Sequence, residues 1–439
     1  MRTAIAAALL LVAVTAVCGG GDGRPPDGTT NRVPATDGDP AASDGVAVVP
    51  STLRRLRIGD PIELPSDLVL YIETGCFACD GPPESIDRVY RDASGEVRAE
   101  GVLSFALSRS GPYIHGAVVA LDGELVAAVC SRGYCGNVGE ATVDAQTTIY
   151  RSWDGGTTWE AEEVFDVPYY LLGLRNDRPV AMRVHVTGEI RPPRTEVLSL
   201  GTLIPPAGAD EQRIPKILSA GEALWWTSAG ELLDGEGAVI LGLAPLAAVE
   251  ARPRSATIDG SGRRIAVRWR DGQRSLLSIF TRGEGSGPAV HVVSFETNVT
   301  LGLWLDDRRL LVNAGGFTRE RLGLRQGGDL GSLPAILDVE LGELRPIVDP
   351  FTRDQYIAGR NRVIGVVHGP IARVSTDDGS CLRGRAEPSI EAAQLSCEAD
   401  GALFTLDGEL SSDGAWAPIR GPGRLKGWMA IEFLEFTRD

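Results

Sequence analysis

The eight residues Ser152–Trp159 read Ser-Trp-Asp-Gly-Gly-Thr-Thr-Trp, and they constrain the local fold more than any other stretch of the chain. Ser and Asp side chains bond readily to nearby backbone amides, and adjacent glycines tolerate the positive φ angles of a tight turn. Thr157, Thr158 and Trp159 are residue types that favour strands. The octet therefore predicts a β-hairpin in which Asp154 caps backbone amides and Trp159 is buried between sheets.

Apolar runs of strand length follow one another through the rest of the chain and are separated by turn residues. One turn pattern recurs: a small or polar residue, a glycine, a charged residue and then an apolar strand, as in Asp122-Gly123-Glu124-Leu125 and Asp407-Gly408-Glu409-Leu410. No long amphipathic helical pattern interrupts these runs. The sequence therefore predicts an all-β protein built from many hairpins.

The octet matches the pattern Ser-x-Asp-x-Gly-x-Thr-Trp at every defining position, and so resembles the Asp-box of sialidase-like β-propellers. The positions that carry this resemblance are Ser152, Asp154, Gly156, Thr158 and Trp159. In that family the motif is a structural turn, usually away from the substrate face, and it occurs in non-enzymes as often as in enzymes. The resemblance therefore implies an architecture and not a reaction.

Weaker resemblances lie further along the chain. A second, partial Asp-box keeps Ser375, Asp377 and Gly379 but has Cys and Leu where Thr and Trp belong, and residues 411–416 look like a shortened copy. Residues 256–267 and 304–312 are similar to the Asp-Gly-basic-apolar repeats of TolB-like and WD40-like propellers. Together these segments imply a propeller over residues 51–439.

Division of the strand-rich region by a repeat of about 40–55 residues gives a single β-propeller of about seven four-stranded blades, and six or eight fit nearly as well. We expect the C-terminal run Trp428–Phe436 to complete the first blade. We also expect the tryptophans to lie between blades. In the pair Trp225-Trp226, adjacent strand residues point to opposite faces, so one of the two is a candidate for exposure.

The N-terminus reads as an export signal over residues 1–18, with Arg2 preceding an apolar run from Ala4 to Val17. Residues 15–18 resemble a bacterial lipobox, which implies lipidation of Cys18, although Val17 departs from the usual Gly or Ala and ordinary signal cleavage remains the alternative. Residues 19–50 are rich in Gly, Pro and Asp and predict a flexible tether. The expected location is extracytoplasmic, with membrane attachment through the lipid only, or free secretion.

Without Cys18 the chain has six cysteines, which fall into three local pairs: Cys76/Cys79, Cys130/Cys135 and Cys381/Cys397. An oxidising compartment favours disulfides within these pairs, although six cysteines allow 15 connectivities. For Cys76 and Cys79, a redox pair and half of a zinc site are alternatives. The Asp-Gly-Pro-Pro that follows does not start a helix, and no second Cys-x-x-Cys is present.

Motifs for catalysis, metals and cofactors are weak. The four histidines are isolated, and no P-loop, Rossmann or nucleophile-elbow motif has a suitable context. We expect no metal and no cofactor. The net charge of −16 and the lack of a basic cluster exclude nucleic acid as a partner.

Two function classes remain. The first is a monomeric, non-catalytic module that binds an envelope protein, a peptide or a glycan. The second is a sialidase-like glycoside hydrolase, which the resemblance would equip with an arginine cluster, a Tyr–Glu pair and an Asp acid/base. Gln212-Arg213-Ile214-Pro215 resembles the Arg-Ile-Pro segment of sialidases but follows the clearest Asp-box instead of preceding it. An arginine trio beside a Tyr–Glu pair in the central funnel would favour the enzyme; the missing catalytic motifs favour the binding module.

The lipobox-like sequence generates the first testable prediction. Replacement of Cys18→Ala removes the only sulfur that a diacylglyceryl group would use, so the protein should move from the membrane pellet to the soluble fraction. Thr29→Ala, in the expected tether, is the control and should stay in the pellet. If wild type and Cys18→Ala are both soluble and are cleaved at the same residue, simple secretion is correct.

Overall fold

The computed structural model describes residues 53–75, 83–105, 112–119, 123–136, 140–175, 178–187, 194–198, 201–211, 213–217, 223–242, 252–259, 261–271, 274–283, 289–297, 299–314, 333–348, 362–369, 371–376, 379–421 and 425–436. The expected signal peptide, the lipidated Cys18 and the tether lie outside these ranges. Within them, no helix is long and apolar enough to cross a membrane.

Strands dominate the described residues. The chain begins with β1 (Leu53–Arg55) and β2 (Arg57–Ile58) and then enters blade 1, which contains β3 (Leu68–Gly75), β4 (Pro83–Arg91) and β5 (Val97–Ser104). Blade 2 consists of β6 (Tyr113–Val119), β7 (Leu125–Arg132), β8 (Gln146–Ser152) and β9 (Glu160–Phe165). Blade 3 consists of β10 (Tyr169–Arg175), β11 (Arg178–Arg183), β12 (Arg194–Val197) and β13 (Gly201–Thr202).

Three further blades follow in chain order. Blade 4 is small and consists of β14 (Lys216–Ile217), β15 (Ala223–Trp226), β16 (Leu232–Leu233) and β17 (Val239–Leu241). Blade 5 consists of β18 (Arg252–Ile258), β19 (Arg264–Asp271), β20 (Arg274–Thr281) and β21 (Val290–Glu296). Blade 6 consists of β22 (Val299–Trp304), β23 (Arg309–Ala314), β24 (Leu333–Asp338) and β25 (Glu343–Pro346).

The ring closes through the next strand, β26 (Arg362–His368), which pairs antiparallel with β3 and supplies the innermost strand of blade 1. At the other end of the chain, β1 pairs parallel with β21 of blade 5 and β2 pairs parallel with β25 of blade 6. The N-terminal segment therefore runs along the outer edges of two blades before it enters a third. Both ends of the propeller sequence thus tie neighbouring blades together.

The remaining strands form a separate sheet after the ring, which we call the C-terminal sheet. It consists of β27 (Ile371–Val374), β28 (Leu382–Arg385), β29 (Gln394–Glu398), β30 (Leu403–Leu406), β31 (Trp416–Arg420), β32 (Lys426–Ala430) and β33 (Leu434–Phe436). A 3-10 turn, Ile431–Phe433, joins the last two strands. The C-terminal sheet has its own apolar core, which includes Phe404, Ile419 and Met429.

The all-β propeller is confirmed, but the blade number differs from seven. In the described residues six sheets form the ring, and the C-terminal sheet is not a seventh blade because the innermost strand of blade 1, β26, already contacts the innermost strands of blade 6 and blade 2, β22 and β6. The expectation that Trp428–Phe436 completes the first blade is wrong, since β26 takes that place. A count from repeat length could not separate the two sheet types, because both have strands and turns of similar spacing.

Apolar clusters fill the space between neighbouring blades. Most of the clusters join buried side chains of adjacent sheets: for example, Val126 of blade 2 with Leu171 of blade 3, and Leu224 of blade 4 with Trp269 of blade 5. The largest joins blades 5, 6 and 1. Single blades of this size cannot bury both faces alone, so the stability of each blade depends on its neighbours.

The innermost strands approach one another closely at glycines. A Cβ on Gly116 of β6 would lie 2.9 Å from the carbonyl oxygen of Leu171 in β10, and a Cβ on Gly173 of β10 would lie 2.6 Å from the Cβ of Ile217 in β14. A Cβ on Gly365 of β26 would overlap the side chain of Val119 in β6. Such separations leave no room for any larger residue.

A β-bulge accompanies these approaches. The register between the first and second strand of the blade shifts in five innermost strands: β6, β10, β18, β22 and β26. A bulge bends a strand and increases its local twist. In β6, β10 and β26 the bulge and the glycine occur together and let neighbouring inner strands approach closely, a repeated feature that strand patterns in the sequence did not indicate.

The inter-blade glycines generate a stability prediction. Gly365→Ala forces Val119 or β26 to move, and overpacking of this kind costs about 1–3 kcal/mol in the free energy of unfolding. Gly242→Ala is the matched control, because a Cβ there meets nothing within 4 Å. Denaturant unfolding of both variants measures the difference; equal stability would contradict the close approach of β26 and β6.

Candidate functional site

The two faces of the ring are defined by the turns that they carry. Because strands alternate in direction, the turns between first and second and between third and fourth strands lie at one end of every blade. We call this end the hairpin face. The Asp-box octet joins β8 to β9, the third and fourth strands of blade 2, and so lies on the hairpin face.

Asp154 organises the predicted hairpin. Its Oδ1 accepts hydrogen bonds from the backbone amide of Thr158 and the hydroxyl of Ser152, both at 2.8 Å, and its Oδ2 accepts from the Thr158 hydroxyl at 2.7 Å. The amide of Gly156 donates to the Ser152 hydroxyl at 2.8 Å. Gly155 and Gly156 have φ angles of 69° and 95°, which only glycine adopts without strain. The side chains therefore act on their own turn.

The same hairpin packs against other sheets. The carbonyl oxygen of Gly155 accepts hydrogen bonds from Tyr71 at 3.1 Å and from Arg88 at 3.0 Å, both in blade 1. Arg88 is buried and also donates to Glu100 at 2.5 Å and to the carbonyl of Gly401 in the C-terminal sheet at 3.3 Å. One guanidinium thus joins blade 2, blade 1 and the C-terminal sheet, a role that no sequence motif indicated.

Trp159 is less buried than its sequence pattern suggested. It is partly exposed, packs at the edge of the apolar cluster between blades 1 and 2, and donates its indole N–H to Gly156 at 3.1 Å. We therefore expect Trp159→Ala to lower the free energy of unfolding by less than about 3–5 kcal/mol, the usual loss for a fully buried aromatic residue. Trp153 points outward at the turn, 43% exposed, with the Arg151 guanidinium 4.8 Å from its ring centre.

The predicted disulfides and the second Asp-box lie only partly within the described residues. Disulfide bonds join Cys130 to Cys135 and Cys381 to Cys397, as predicted. The pair Cys76 and Cys79 lies outside the described residues. Asp377 of the second Asp-box also lies outside them. In the described part of this segment, the backbone amide of Ser375 donates a hydrogen bond to the carbonyl oxygen of Phe433, and Gly379 has a φ of 68°. The Ser–Asp contact of that copy therefore stays a prediction.

Three further expectations concern Arg213, the tryptophan pair and metal ions. Arg213, in the segment that resembles the Arg-Ile-Pro of sialidases, forms an ion pair with Asp210 at 3.2 Å. Trp225 and Trp226 are both buried, at 4% and 6% exposure, so neither is the exposed tryptophan that was expected in this pair. Both faces of their strand are covered, because Trp225 packs toward blade 3 and Trp226 toward blade 5. Among the residues that the structure describes, no group of three His, Cys, Asp or Glu side chains is placed to hold a metal ion.

A Tyr–Glu pair does exist, but not in the central funnel. Tyr90 of β4 donates to Glu100 of β5 at 2.6 Å, beside a cavity of about 350 Å³ that Arg91, Arg98 and Arg373 also line. The cavity lies between blade 1 and the C-terminal sheet. Each of these arginines has an acidic partner: Arg91 with Glu63, Arg98 with Asp92 and Arg373 with Glu435.

Burial and hydrogen bonds determine the ionisation of this cluster. Burial, reinforced by the hydrogen bond to Glu100, raises the pKa of Tyr90 to about 12, so its phenol is protonated near neutral pH. Hydrogen bonds from Ser94, Arg98 and backbone amides hold the pKa of Asp92 well below its usual range, so it is ionised near neutral pH. The hydrogen bonds and ion pairs of the cluster join blade 1 to the C-terminal sheet.

A larger cavity, about 940 Å³, lies on the hairpin face between blades 3 and 4, and we call it the inter-blade groove. Arg175 and Arg178 flank the first turn of blade 3, and Arg282 follows β20 in blade 5. Asp234 and Glu236, in the last turn of blade 4, line the groove as well. Its volume lies in the range of ligand-binding clefts.

The apolar part of the inter-blade groove comes from the cluster that joins blades 3 and 4. Val197, Leu203, Ala223 and Trp225 are buried and line the groove with little side-chain surface open to solvent. Ile204 stands beside them and is 80% exposed. The groove thus combines guanidinium groups with an exposed aliphatic side chain. Sequence reasoning missed it because its residues come from three blades and carry no shared motif.

No family model matches the sequence, and no curated protein is similar to it. TolB from Acinetobacter baumannii is 14% identical with a TM-score of 0.39, over 64% of this chain and 65% of TolB, just under two thirds of its length. A putative 6-phosphogluconolactonase from Bacteroides uniformis is 12% identical with a TM-score of 0.36, over 84% and 99%.

The β-propeller domain of Cps50 (Swd1) from Myceliophteria thermophila is 11% identical with a TM-score of 0.30, over 67% of this chain and 89% of that domain. None of these three structures is a sialidase, and the resemblance to sialidase-like propellers stays a prediction. At such low identity and TM-score they indicate no activity, and the fold assignment here depends on the strand pairing.

The Asp154 contacts generate a prediction about the hairpin. Asp154→Ala removes three hydrogen bonds in a buried turn and should lower the free energy of unfolding by about 1–2 kcal/mol. Asp413→Ala is the control: Asp413 caps a similar Ser-x-Asp turn on the exposed side of the C-terminal sheet, so the loss should be smaller. Thermal unfolding compares the two variants. An Asp154→Ala protein with unchanged stability but lost ligand binding would refute a structural role.

Proposed function

We propose that this protein is an extracytoplasmic β-propeller that binds a protein or glycan partner through the inter-blade groove and catalyses no reaction. The observation that carries the proposal is the groove itself, which combines exposed guanidinium groups with an apolar floor on one face of a rigid ring. Such a combination suits recognition, because apolar contact provides affinity and a few charged groups fix orientation.

The absence of a reactive constellation among the described groove residues supports a binding role. No tyrosine, histidine or cysteine is among the residues that line this cavity, and the carboxylate of Asp234 accepts hydrogen bonds from the amides of Glu236 and Ala238 at 3.0 and 2.8 Å. Asp234 therefore acts as a turn cap. A propeller fold by itself argues for no activity, since one fold serves many functions.

Two features support an extracytoplasmic location. The disulfides Cys130–Cys135 and Cys381–Cys397 are typical of oxidising compartments. The export signal and the lipobox-like residues 15–18 favour attachment to the membrane through Cys18, with residues 19–50 as the tether. In this proposal the ring is held near the membrane and the hairpin face is available to a partner.

The test uses the full chain with a double charge reversal, Arg175→Glu/Arg178→Glu. Partners are captured from envelope extract and on a glycan array, and the reversal should weaken capture by about tenfold or more, as the loss of charged hydrogen bonds does. The control, Arg54→Glu/Arg383→Glu, makes the same charge change at exposed positions elsewhere and should capture normally.

Two results would contradict the proposed function. Capture that is equal in both double variants would place binding outside the inter-blade groove. Hydrolysis of a sialoside or another glycan by the wild type, lost in Tyr90→Phe, would show that the protein is an enzyme and that the Tyr90–Glu100 cluster is its active site.

A further inference from the structure

We propose that the protein has a second binding site, for a linear polysaccharide that carries carboxylates, at the end of blade 5 opposite the hairpin face. The site consists of Arg252, Arg254, Arg268 and Arg270, and we call it the arginine patch. The inter-blade groove lies on the hairpin face, so this inference goes beyond the proposed function. Three features carry it: the strand register, the lack of compensating acidic residues, and the residue types around the arginines.

The register of blade 5 brings the four arginines together. The turn that joins β18 to β19 lies on the hairpin face, so β18 begins and β19 ends at the opposite end of the blade. Arg252 pairs directly with Arg270, and Ser255 pairs with Arg268. Arg254 lies between them as the extra residue of the bulge in β18, and it is exposed. Neighbouring strands are about 4.8 Å apart, so the four residues occupy one small area.

The sheet itself gains nothing from this arrangement of charges. Arg252 and Arg270 are like charges directly opposite each other on neighbouring strands, which is a destabilising pair. Arg254 and Arg268 form no ion pair with a described residue, and Arg268 donates only to the neutral hydroxyl of Ser275, at 3.2 Å. An external anion would turn the repulsion between these side chains into attraction.

The acidic residues nearest to the arginine patch in this sheet are matched by other arginines. Asp271 follows Arg270 but lies opposite Arg274 of β20, so the formal charges of these two residues cancel. Glu296 ends β21, two strands and about 10 Å from β19, and pairs in register with Arg55 of β1. In blade 6, β22 contacts β18 and contains no charged residue. The patch is therefore positive on a chain whose net charge is −16.

The surroundings of the arginine patch favour a charged glycan over a nucleic acid or a membrane surface. Trp269, between Arg268 and Arg270, is only 1% exposed and faces blade 4, so it offers no platform for base stacking. Among the described side chains of β18 and β19, no large apolar residue is exposed, although insertion into a membrane surface needs one. Guanidinium groups bind carboxylates through paired hydrogen bonds, and a linear chain of uronic acids would meet several of them at once.

The test measures the binding of a fluorescein-labelled oligogalacturonate to the full chain by fluorescence anisotropy at physiological ionic strength. Arg254→Ala/Arg270→Ala should weaken binding about tenfold or more, because two charged contacts are lost. Arg263→Ala/Arg264→Ala is the matched control, since it removes two arginines from the hairpin end of the same strand pair and should bind as the wild type does. A neutral glucan oligomer of the same length should bind to none of the three proteins.

Thermal unfolding establishes that each variant is folded. If the double variant does not fold, Arg254→Ala alone provides the test, because this exposed residue has no ion pair to lose and its removal should still weaken binding, by a smaller factor. Absence of binding by the wild type, equal binding by the patch variants, or an equal loss in the control overturns the proposal. Single-stranded DNA of the same length that binds more tightly than the oligogalacturonate, and is lost in the same variants, overturns it as well.

The groove variant Arg175→Glu/Arg178→Glu separates the two sites in the same assay, and it should bind the oligogalacturonate as the wild type does. If this variant loses the oligogalacturonate and the patch variants keep it, the glycan binds in the inter-blade groove, so this inference fails and the proposed function stands. If capture of partners ignores the groove variant while oligogalacturonate binding depends on Arg254 and Arg270, the proposed function fails and this inference stands.

Discussion

The close approach of the innermost strands is the constraint on which the rest of the structure depends. Where the inner strands approach most closely there is room for a side chain on one strand only, and Gly116, Gly173 and Gly365 provide that room. Once these strands meet, the twist of each blade brings its apolar faces against both neighbours, and the clusters between blades form. A larger residue at one such point would separate two blades and expose the cluster between them.

Arg88 makes a second long-range connection, which adds the C-terminal sheet to the ring. Its guanidinium bonds to the Asp-box hairpin of blade 2, to Glu100 of its own blade and to Gly401 of the C-terminal sheet. A charge that is this deeply buried is tolerated only because carbonyl and carboxylate oxygens surround it. The Asp-box therefore contributes to the fold twice, as a self-capped turn and as a docking point for blade 1.

The inter-blade groove follows from the same architecture. Blades 3 and 4 have short outer strands, so the wedge between them is not filled on the hairpin face, and Arg175, Arg178 and Ile204 border the space that remains. The longer strands of blades 5 and 6 bury the equivalent region under a continuous apolar cluster. The groove that we propose as the binding site is thus a consequence of uneven blade size.

Much of the fold was accessible from the sequence, because strand alternation, turn residues and capping act over a few neighbouring residues. The Asp154 turn, the all-β class and the disulfides Cys130–Cys135 and Cys381–Cys397 are local in this sense. The blade count, the closing strand β26 and the partial exposure of Trp159 depend on contacts between residues far apart in the chain, which periodicity does not encode. The groove depends on them too: Arg175 and Arg282 are more than a hundred positions apart, and only the closed ring brings them to one cavity.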